Sequence, residues 1–244
     1  MHRFFVDEDG IQGSTARLEA GDAQHAARVL RLAPGDEVEL LDGLCRYAAR
    51  LTEVSKESVS AEVLSTLPDH EPNVRVTLFQ GLPKAEKMEF ILQKCTELGV
   101  YAVVPVQMER CVVQLSGKDG AKKQERWQRI AREAAKQCGR ARVPEVSAPQ
   151  PLAGLARPLS EDYDLVLVPW EEAREGGIRA AIRETNAQRI AIVIGPEGGM
   201  TKEEVAWLAE RGARPVTLGP RILRTETAGM AALTMALCLS GQME

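Results

Sequence analysis

No run of eighteen or more uncharged apolar residues occurs anywhere in the 244-residue chain, which excludes a membrane-spanning helix. The start, Met1-His2-Arg3-Phe4-Phe5-Val6-Asp7-Glu8, turns acidic where a secretory leader becomes apolar, so a soluble cytoplasmic protein is expected. Cysteine is scarce and never arranged as C-x-x-C. Cys45, Cys95, Cys111, Cys138 and Cys238 are odd in number and widely spaced, which argues against a disulfide framework and against a zinc site. His2, His25 and His70 show no metal-ligand spacing either, so structural or solvent-facing histidines and no metal are expected. Internal repeats and low-complexity tracts are absent as well.

A surplus of positive charge is also missing. A net charge of −4 argues mildly against a nucleic-acid partner, because neutralising phosphate drives such binding. The distribution says otherwise. Residues 1–70 carry seven Lys/Arg against thirteen Asp/Glu, whereas residues 110–142 carry ten against three. The basic surface is concentrated in one stretch.

What is present is organised in two parts. Up to about residue 70, short alternating segments (Glu37 to Leu41, Tyr47 to Val54, Ser58 to Leu64) are separated by Pro34-Gly35-Asp36 and Asp42-Gly43, which predicts a small β-rich barrel or sheet. One helix is expected from Gly21-Asp22 through Leu30, with Asp22 as N-cap and Ala26, Val29 and Leu30 facing inward. Leu67-Pro68-Asp69-His70-Glu71-Pro72 then has the aperiodic, proline-containing look of a linker. From Val74 onward, β-branched runs at Val74 to Phe79, Val100 to Val106, Asp164 to Val168, Arg189 to Ile194 and Pro215 to Leu218 alternate with helical periodicity, the pattern of a covered parallel sheet. Met88, Ile91, Leu92, Cys95 and Leu98 mark one helix, stopped by Gly99. A second, from about Ala121 to Cys138, sets Trp127, Ile130, Ala131, Ala134 and Cys138 against a basic stripe of Arg126, Arg129, Lys136 and Arg140.

The chemistry concentrates in two late segments. Ile190 to Ile194 runs straight into Gly195-Pro196-Glu197-Gly198-Gly199, followed by Thr201-Lys202-Glu203-Glu204, a capping box that opens a helix. Glycines at the carboxyl end of a parallel strand let a ligand approach the backbone, although a tight strand-to-helix turn would look the same. The loop matches neither G-x-G-x-x-G nor a P-loop. In the second segment, Leu218-Gly219-Pro220-Arg221-Ile222-Leu223-Arg224-Thr225-Glu226-Thr227 leads into a strongly apolar final helix. Arg221, Arg224 and Glu226 fall between buried elements, where charges need partners; they are candidates for an ion-pair cluster or for chemistry.

These two segments together resemble the paired signatures of the ribosomal RNA small subunit methyltransferase E family. Arg28-Val29-Leu30-Arg31, Gly35-Asp36, Asp42-Gly43, Lys94-Cys95-Thr96-Glu97-Leu98-Gly99, Glu109-Arg110, Arg126-Trp127 and Ala134 to Pro144 agree in the same order, so the likeness runs almost end to end. The resemblance implies an α/β fold: a SPOUT-type parallel sheet with a C-terminal trefoil knot over 71–244, behind a PUA-like RNA-binding β-barrel over 1–70. Periodicity alone would suggest an ordinary doubly wound sheet. It further implies a homodimer and S-adenosylmethionine-dependent methylation of uridine N3 in 16S ribosomal RNA, with free RNA or the small ribosomal subunit as partner.

Carried over by motif, the cofactor residues are Val168, Pro169, Ile194, Gly195, Pro196, Glu197, Gly199, Leu218, Gly219, Ile222, Leu223, Thr225 and Thr227, with Leu218, Ile222 and Leu223 around the adenine. Arg224 and Glu226 are the catalytic candidates. Arg3, Arg28, Arg31, Arg110, Arg126, Arg129 and Arg140 are the RNA-binding candidates. Two alternatives compete: a non-catalytic nucleotide- or RNA-binding protein on the same fold, and a transferase for a small molecule. The basic helix distinguishes the last, since a small substrate has no need of it.

Overall fold

In the computed structural model, which describes residues 1–6, 10–55, 58–115, 117–174 and 176–243, the N-terminal region forms six strands, the last three of them at the alternating segments read from the sequence. These are β1 (His2–Phe5), β2 (Ile11–Gln12), β3 (Thr15–Arg17), β4 (Glu37–Leu41), β5 (Arg46–Val54) and β6 (Val59–Leu67). Asp7 and Glu8 of the acidic start lie outside the described residues. The sheet order is β1-β4-β5-β6-β3-β2, with β1 and β4 parallel and the other pairs antiparallel. No pairing joins β1 to β2 among the described residues, so the expected barrel is an open half-barrel.

Two successive phenylalanines reveal its layering. Neighbours in a strand point to opposite faces, yet Phe4 and Phe5 are 0% and 3% exposed, so both faces are covered. Phe4 joins Val38, Leu40, Ala49, Leu51, Val59 and Ala61 in one core, while Phe5 and Leu41 pack against Ala135 and Val143. Accordingly the chain divides into one compact unit of Met1–Glu71 with Glu133–Val143, and another of Pro72–Arg132 with Pro144–Glu244. The return at 133–143 has no counterpart in the alternation of residues 1–70.

The expected helix from Gly21 to Leu30 splits into α1 (Ala20–Gln24) and one π-helical turn, His25–Val29. Glu19 occupies the N-cap in place of Asp22. The Asp22 carboxylate instead accepts the Phe5 N–H at 3.1 Å and pairs with the Lys136 ammonium. A π turn winds wider than an α turn and shifts later residues out of phase. Ala23 and Ala26 therefore face the core, while Val29, expected inside, is 66% exposed.

The second unit is built on β7 (Arg75–Gly81), β8 (Ala102–Gln107), β9 (Glu145–Val146), β10 (Gln150–Pro151), β11 (Leu165–Pro169), β12 (Arg189–Ile194) and β13 (Arg214–Val216). Their order is β10-β8-β7-β12-β11-β13, with β9 also on β8, and every pairing is parallel. Residues 190–194 are all buried in succession, so both faces of the sheet are covered there. The two expected helices are α2 (Lys87–Glu97), with Met88, Ile91, Leu92 and Cys95 buried, and α3 (Gly117–Cys138). Gly99, at φ +98°, ends the first as expected.

The remaining helices are α4 (Ala156–Glu161), α5 (Ile178–Arg183), α6 (Lys202–Ala209) and α7 (Thr225–Leu239). Helix α7 packs on α2, α5, β7 and β12. A Cβ at Gly229 would stand 3.3 Å from Gln80 Oε1 and 3.5 Å from the Leu78 side chain, so this glycine allows α7 to close on β7. The strand expected to reach Leu218 stops at Val216, and Leu218 enters a turn in which Gly219 has φ +110°.

Candidate active site

Strand β12 delivers its buried last residue, Ile194, into the loop of residues 195–200. Gly199 adopts φ +71°, and a Cβ on it would stand 2.9 Å from Glu171 Oε1. A Cβ on Gly81, at the end of β7, would fall 2.6 Å from the Pro196 nitrogen, so two backbones meet there with nothing between them. The expected capping box closes the far end: the Glu204 N–H donates to Thr201 Oγ1 at 3.1 Å, and the Thr201 N–H donates to Glu204 Oε2 at 2.9 Å. Glu204 Oε1 also accepts the Glu109 N–H at 2.8 Å, and Arg110 Nη1 donates to the Gly198 carbonyl at 3.0 Å. The residues that follow β8 thus hold the glycine loop from outside.

The second signature is tied to the first through a buried relay. Gln80 Nε2 donates to Thr225 Oγ1 at 2.8 Å and to the Gly81 carbonyl at 3.0 Å, and Thr225 Oγ1 donates to the Gly195 carbonyl at 2.6 Å. Both side chains are buried. Thr225, expected beside the cofactor, uses its hydroxyl to hold the two segments together.

A cavity of about 430 Å³ opens between them. It gathers Pro169, Ile194, Gly195, Pro196, Glu197, Gly199, Ile222, Leu223 and Thr225 from the expected set, along with Arg224. A smaller hollow of about 80 Å³ adds Leu218, Gly219 and Arg221 and shares Pro169, Ile222 and Leu223 with the first. Val168 is fully buried, Thr227 is exposed, and neither lines these spaces. The sequence reading missed Lys87, Glu171, Met200 and Ala228 on the cavity wall, Trp170 in the hollow, and Gln80 beneath. No motif marks them. The usable signal was position, because Lys87 opens a helix just beyond the carboxyl end of a parallel strand, where ligands of open α/β sheets bind.

The three late charges do not pair with one another. Arg224 is the N-cap of α7, where its carbonyl accepts the Ala228 N–H at 2.8 Å; it and Arg221 are both exposed, and neither side chain makes a hydrogen bond or ion pair among the described residues. Glu226, whose side chain is 14% exposed, places Oε2 at 3.4 Å from Lys87 Nζ in an ion pair without hydrogen-bond geometry. Lys87 Nζ also lies 3.1 Å from Glu197 Oε1, so one ammonium bridges the two signatures. The ion-pair cluster considered from sequence is replaced by this bridge, and Lys87 rather than Arg224 accompanies Glu226. Partial burial pushes the Glu197 carboxyl up, but the Lys84 N–H and the Lys87 ammonium outweigh it and hold the group below its ordinary range. The hydrogen bond to Glu197 raises Lys87, so it remains an ammonium.

The basic residues divide by environment. Arg28 and Arg31 are exposed, the latter at φ +54°. Arg129 is exposed, and Arg126, half exposed, pairs with Glu89 at 2.8 Å. Arg3 is engaged by Glu39 and by the Gln137 carbonyl, both at 2.9 Å. Arg140, placed by periodicity on the exposed stripe, is a correction. Gly139 turns the chain at φ +81° beyond the end of α3, and the Arg140 guanidinium, its side chain 8% exposed, meets Glu71 at 2.6 Å. Lys136 is likewise drawn inward, to Asp22 and the face of Phe4.

Comparison with known proteins bears on this geometry. Residues 70–237 match the model of an RNA methyltransferase domain, and residues 18–64 match that of an RNA methyltransferase PUA domain. The chain is 37% identical to ribosomal RNA small subunit methyltransferase E of Bacillus subtilis, covering 96% of this chain and 95% of that one. It is similar to the crystal structure of ribosomal RNA small subunit methyltransferase E from Neisseria gonorrhoeae bound to S-adenosylmethionine, with a TM-score of 0.84, 37% identity and 98% of each chain covered. A methyltransferase structure from Legionella pneumophila with bound S-adenosylmethionine gives a TM-score of 0.85 at 32% identity, over 97% of this chain and 96% of that one.

Proposed function

Since the chain belongs to the ribosomal RNA small subunit methyltransferase E family and is an S-adenosylmethionine-dependent ribosomal RNA methyltransferase, we propose that it methylates N3 of a uridine in 16S ribosomal RNA. The observation that carries this reading is the cavity between the 195–199 loop and the 222–225 segment. The residues present fit the cofactor. The volume lies within the ~300–1,000 Å³ of small-molecule sites. Apolar Ile194, Met200, Ile222 and Leu223 suit an adenine, and the glycine loop leaves backbone polar groups accessible. When bound, S-adenosylmethionine supplies a methyl group already activated by its sulfonium.

The chain's own task is alignment and charge. Uridine N3 carries a proton on the lone pair that must attack, so the proton leaves before the new bond forms. The Arg224 guanidinium, at the cavity rim without a carboxylate partner among the described residues, stabilises the negative uracil, and the Glu226 carboxylate receives the proton directly or through water. Arg28, Arg31, Arg126 and Arg129 hold RNA phosphates, supported by their exposure. We take 1–70 and 71–244 as RNA-holding and catalytic domains. The half-buried face of α7 (Met230, Ala231, Thr234, Met235) supports a homodimer. The ribosomal substrate supports a cytoplasmic location, and no helix among the described residues is long and apolar enough to cross a membrane.

The test is mass spectrometry of 16S ribosomal RNA from a strain lacking the gene, with purified protein and S-adenosylmethionine added back. One uridine should lose and regain a methyl group at N3. A methyl group restored on another atom would overturn the assignment.

A further inference from the structure

Helix α2 begins at the mouth of the cavity, where Lys87 carries a charge that no sequence signature includes. The loop that delivers it is constrained: Ala85 sits at φ +53°, a costly conformation for a residue with a side chain, and the Lys84 N–H is held by Glu197 Oε1 at 3.0 Å. The Lys87 ammonium has three donors. Its neighbours, Glu197 at 3.1 Å and Glu226 at 3.4 Å, are two ion-pair partners for three donors, which leaves an N–H for a third group in the cavity it lines.

We propose that Lys87 is a catalytic residue that donates to one uracil carbonyl oxygen while Arg224 donates to the other, so that the two cations share the charge released when N3 is deprotonated. This rests on the uridine N3 reading above. The chemistry calls for two cations, because N3 lies between two carbonyls and the anion spreads over both oxygens. The N3–H bond breaks with its proton passing to Glu226 or to water. The N3–CH3 bond then forms as the S–CH3 bond breaks, leaving the neutral thioether of S-adenosylhomocysteine. Lys87 cannot be the base, since its proton is held more tightly than in a free lysine.

The ionisable groups around it are Glu197 on the glycine loop, Glu226 and Arg224 on α7, and Glu171 after β11. Replacing Lys87 removes a cation that helps hold the Glu197 carboxyl low, but carboxylates ordinarily titrate near pH ~4, below the range measured, so a change in profile above pH 6 reports on the missing cation. The experiment measures kcat for methylation of 16S ribosomal RNA between pH 6 and 10 for wild type, Lys87→Met and Lys87→Arg, together with cofactor affinity and melting temperature.

Lys87→Met should lose on the order of a hundredfold in kcat at neutral pH, as when a preorganised charge is removed. The deficit should shrink at alkaline pH, where N3 ionises unaided, while Lys87→Arg retains most of the rate and cofactor affinity moves less than twofold. A deficit that stays constant across pH, or a loss of cofactor binding equal to the loss of rate, would make Lys87 structural and overturn the assignment. Wild-type product methylated at another atom would instead overturn the uridine reading.

Discussion

Thr225 Oγ1 donates a 2.6 Å hydrogen bond to the carbonyl of Gly195, thirty residues earlier in the chain. The same oxygen accepts from the buried Gln80 amide. One hydroxyl therefore fixes the spacing of the two segments that form the cavity walls. Thr225→Val keeps the shape but leaves the Gly195 carbonyl and the Gln80 amide without this partner. The expected cost is about 1–3 kcal/mol, with weaker binding of S-adenosylmethionine, whereas Thr225→Ser should stay close to wild type. Denaturant unfolding and calorimetry check this; full stability and affinity in the valine variant would show that the relay does not hold the site.

The two signature glycines should fail for different reasons. Gly199→Val forces a side chain into φ +71° and against Glu171 Oε1, which lines the cavity, so affinity and stability fall together. Gly219→Val meets nothing within 4 Å, and its penalty is backbone strain at φ +110°, roughly 1–3 kcal/mol. Calorimetric titration with S-adenosylmethionine separates them. Equal affinity losses would mean that the clash with Glu171 is not what matters.

Much of this architecture was legible because it follows period and punctuation. Strands β7, β8, β11 and β12 and helices α2 and α3 came from apolar runs and helical period, and the stop at Gly99 and the Thr201–Glu204 box from punctuation, all of which act locally. The π turn at His25–Val29 was not legible, since nothing in its composition announces a change of winding. Arg140 was misplaced because the basic stripe was carried two residues past Cys138, where the helix ends and Gly139 turns the chain. Lys87 stayed hidden for a further reason. Its significance depends on Glu197 and Glu226, more than a hundred residues away and brought near by the sheet order.

Acid should destabilise the first unit through two carboxylates. Burial pushes Glu39 up, but Arg3 and Arg46 outweigh it, and the group is lowered from 4.5. Burial likewise raises Asp42, but the N–H groups of Cys45 and Leu44 and the Tyr47 hydroxyl lower it overall from 3.8. For a depressed folded value, the stabilisation is present above the unfolded pKa and is lost as pH falls through the folded one. Melting temperature should thus drop below about pH 4. Asp42→Asn should flatten that drop, and an unchanged acid slope in this variant would count against the assignment.

The basic residues should separate in a salt titration. Replacing Arg28, Arg31 and Arg129 with Ala should reduce the salt dependence of RNA binding by roughly 0.7–0.9 in log–log slope for each phosphate no longer neutralised, without altering melting temperature. Arg140→Ala should do the reverse. It strands Glu71 in a largely buried pair at a cost on the order of 3 kcal/mol, with the salt slope intact. An Arg140→Ala protein of normal stability but reduced slope would return this residue to the RNA surface.

The chemical step provides the sharpest contrast, because Arg224 and Glu226 share a helix turn yet occupy different environments. The Arg224 side chain is exposed and unpartnered among the described residues, so replacing it breaks no side-chain bond. A guanidinium holds two hydrogen bonds in a fixed plane, which lysine cannot reproduce. Arg224→Lys should therefore lose on the order of a hundredfold in turnover, with a stability change within about 0.5 kcal/mol. Glu226→Gln should also lose turnover, but it removes one of the two carboxylates beside Lys87 and so should shift the optimum pH as well. If the two residues merely pinned the start of α7, melting temperature and cofactor affinity would fall in step with rate. Turnover, melting temperature and S-adenosylmethionine affinity measured on both variants decide between these outcomes, and near-normal turnover in either one removes that residue from the chemistry.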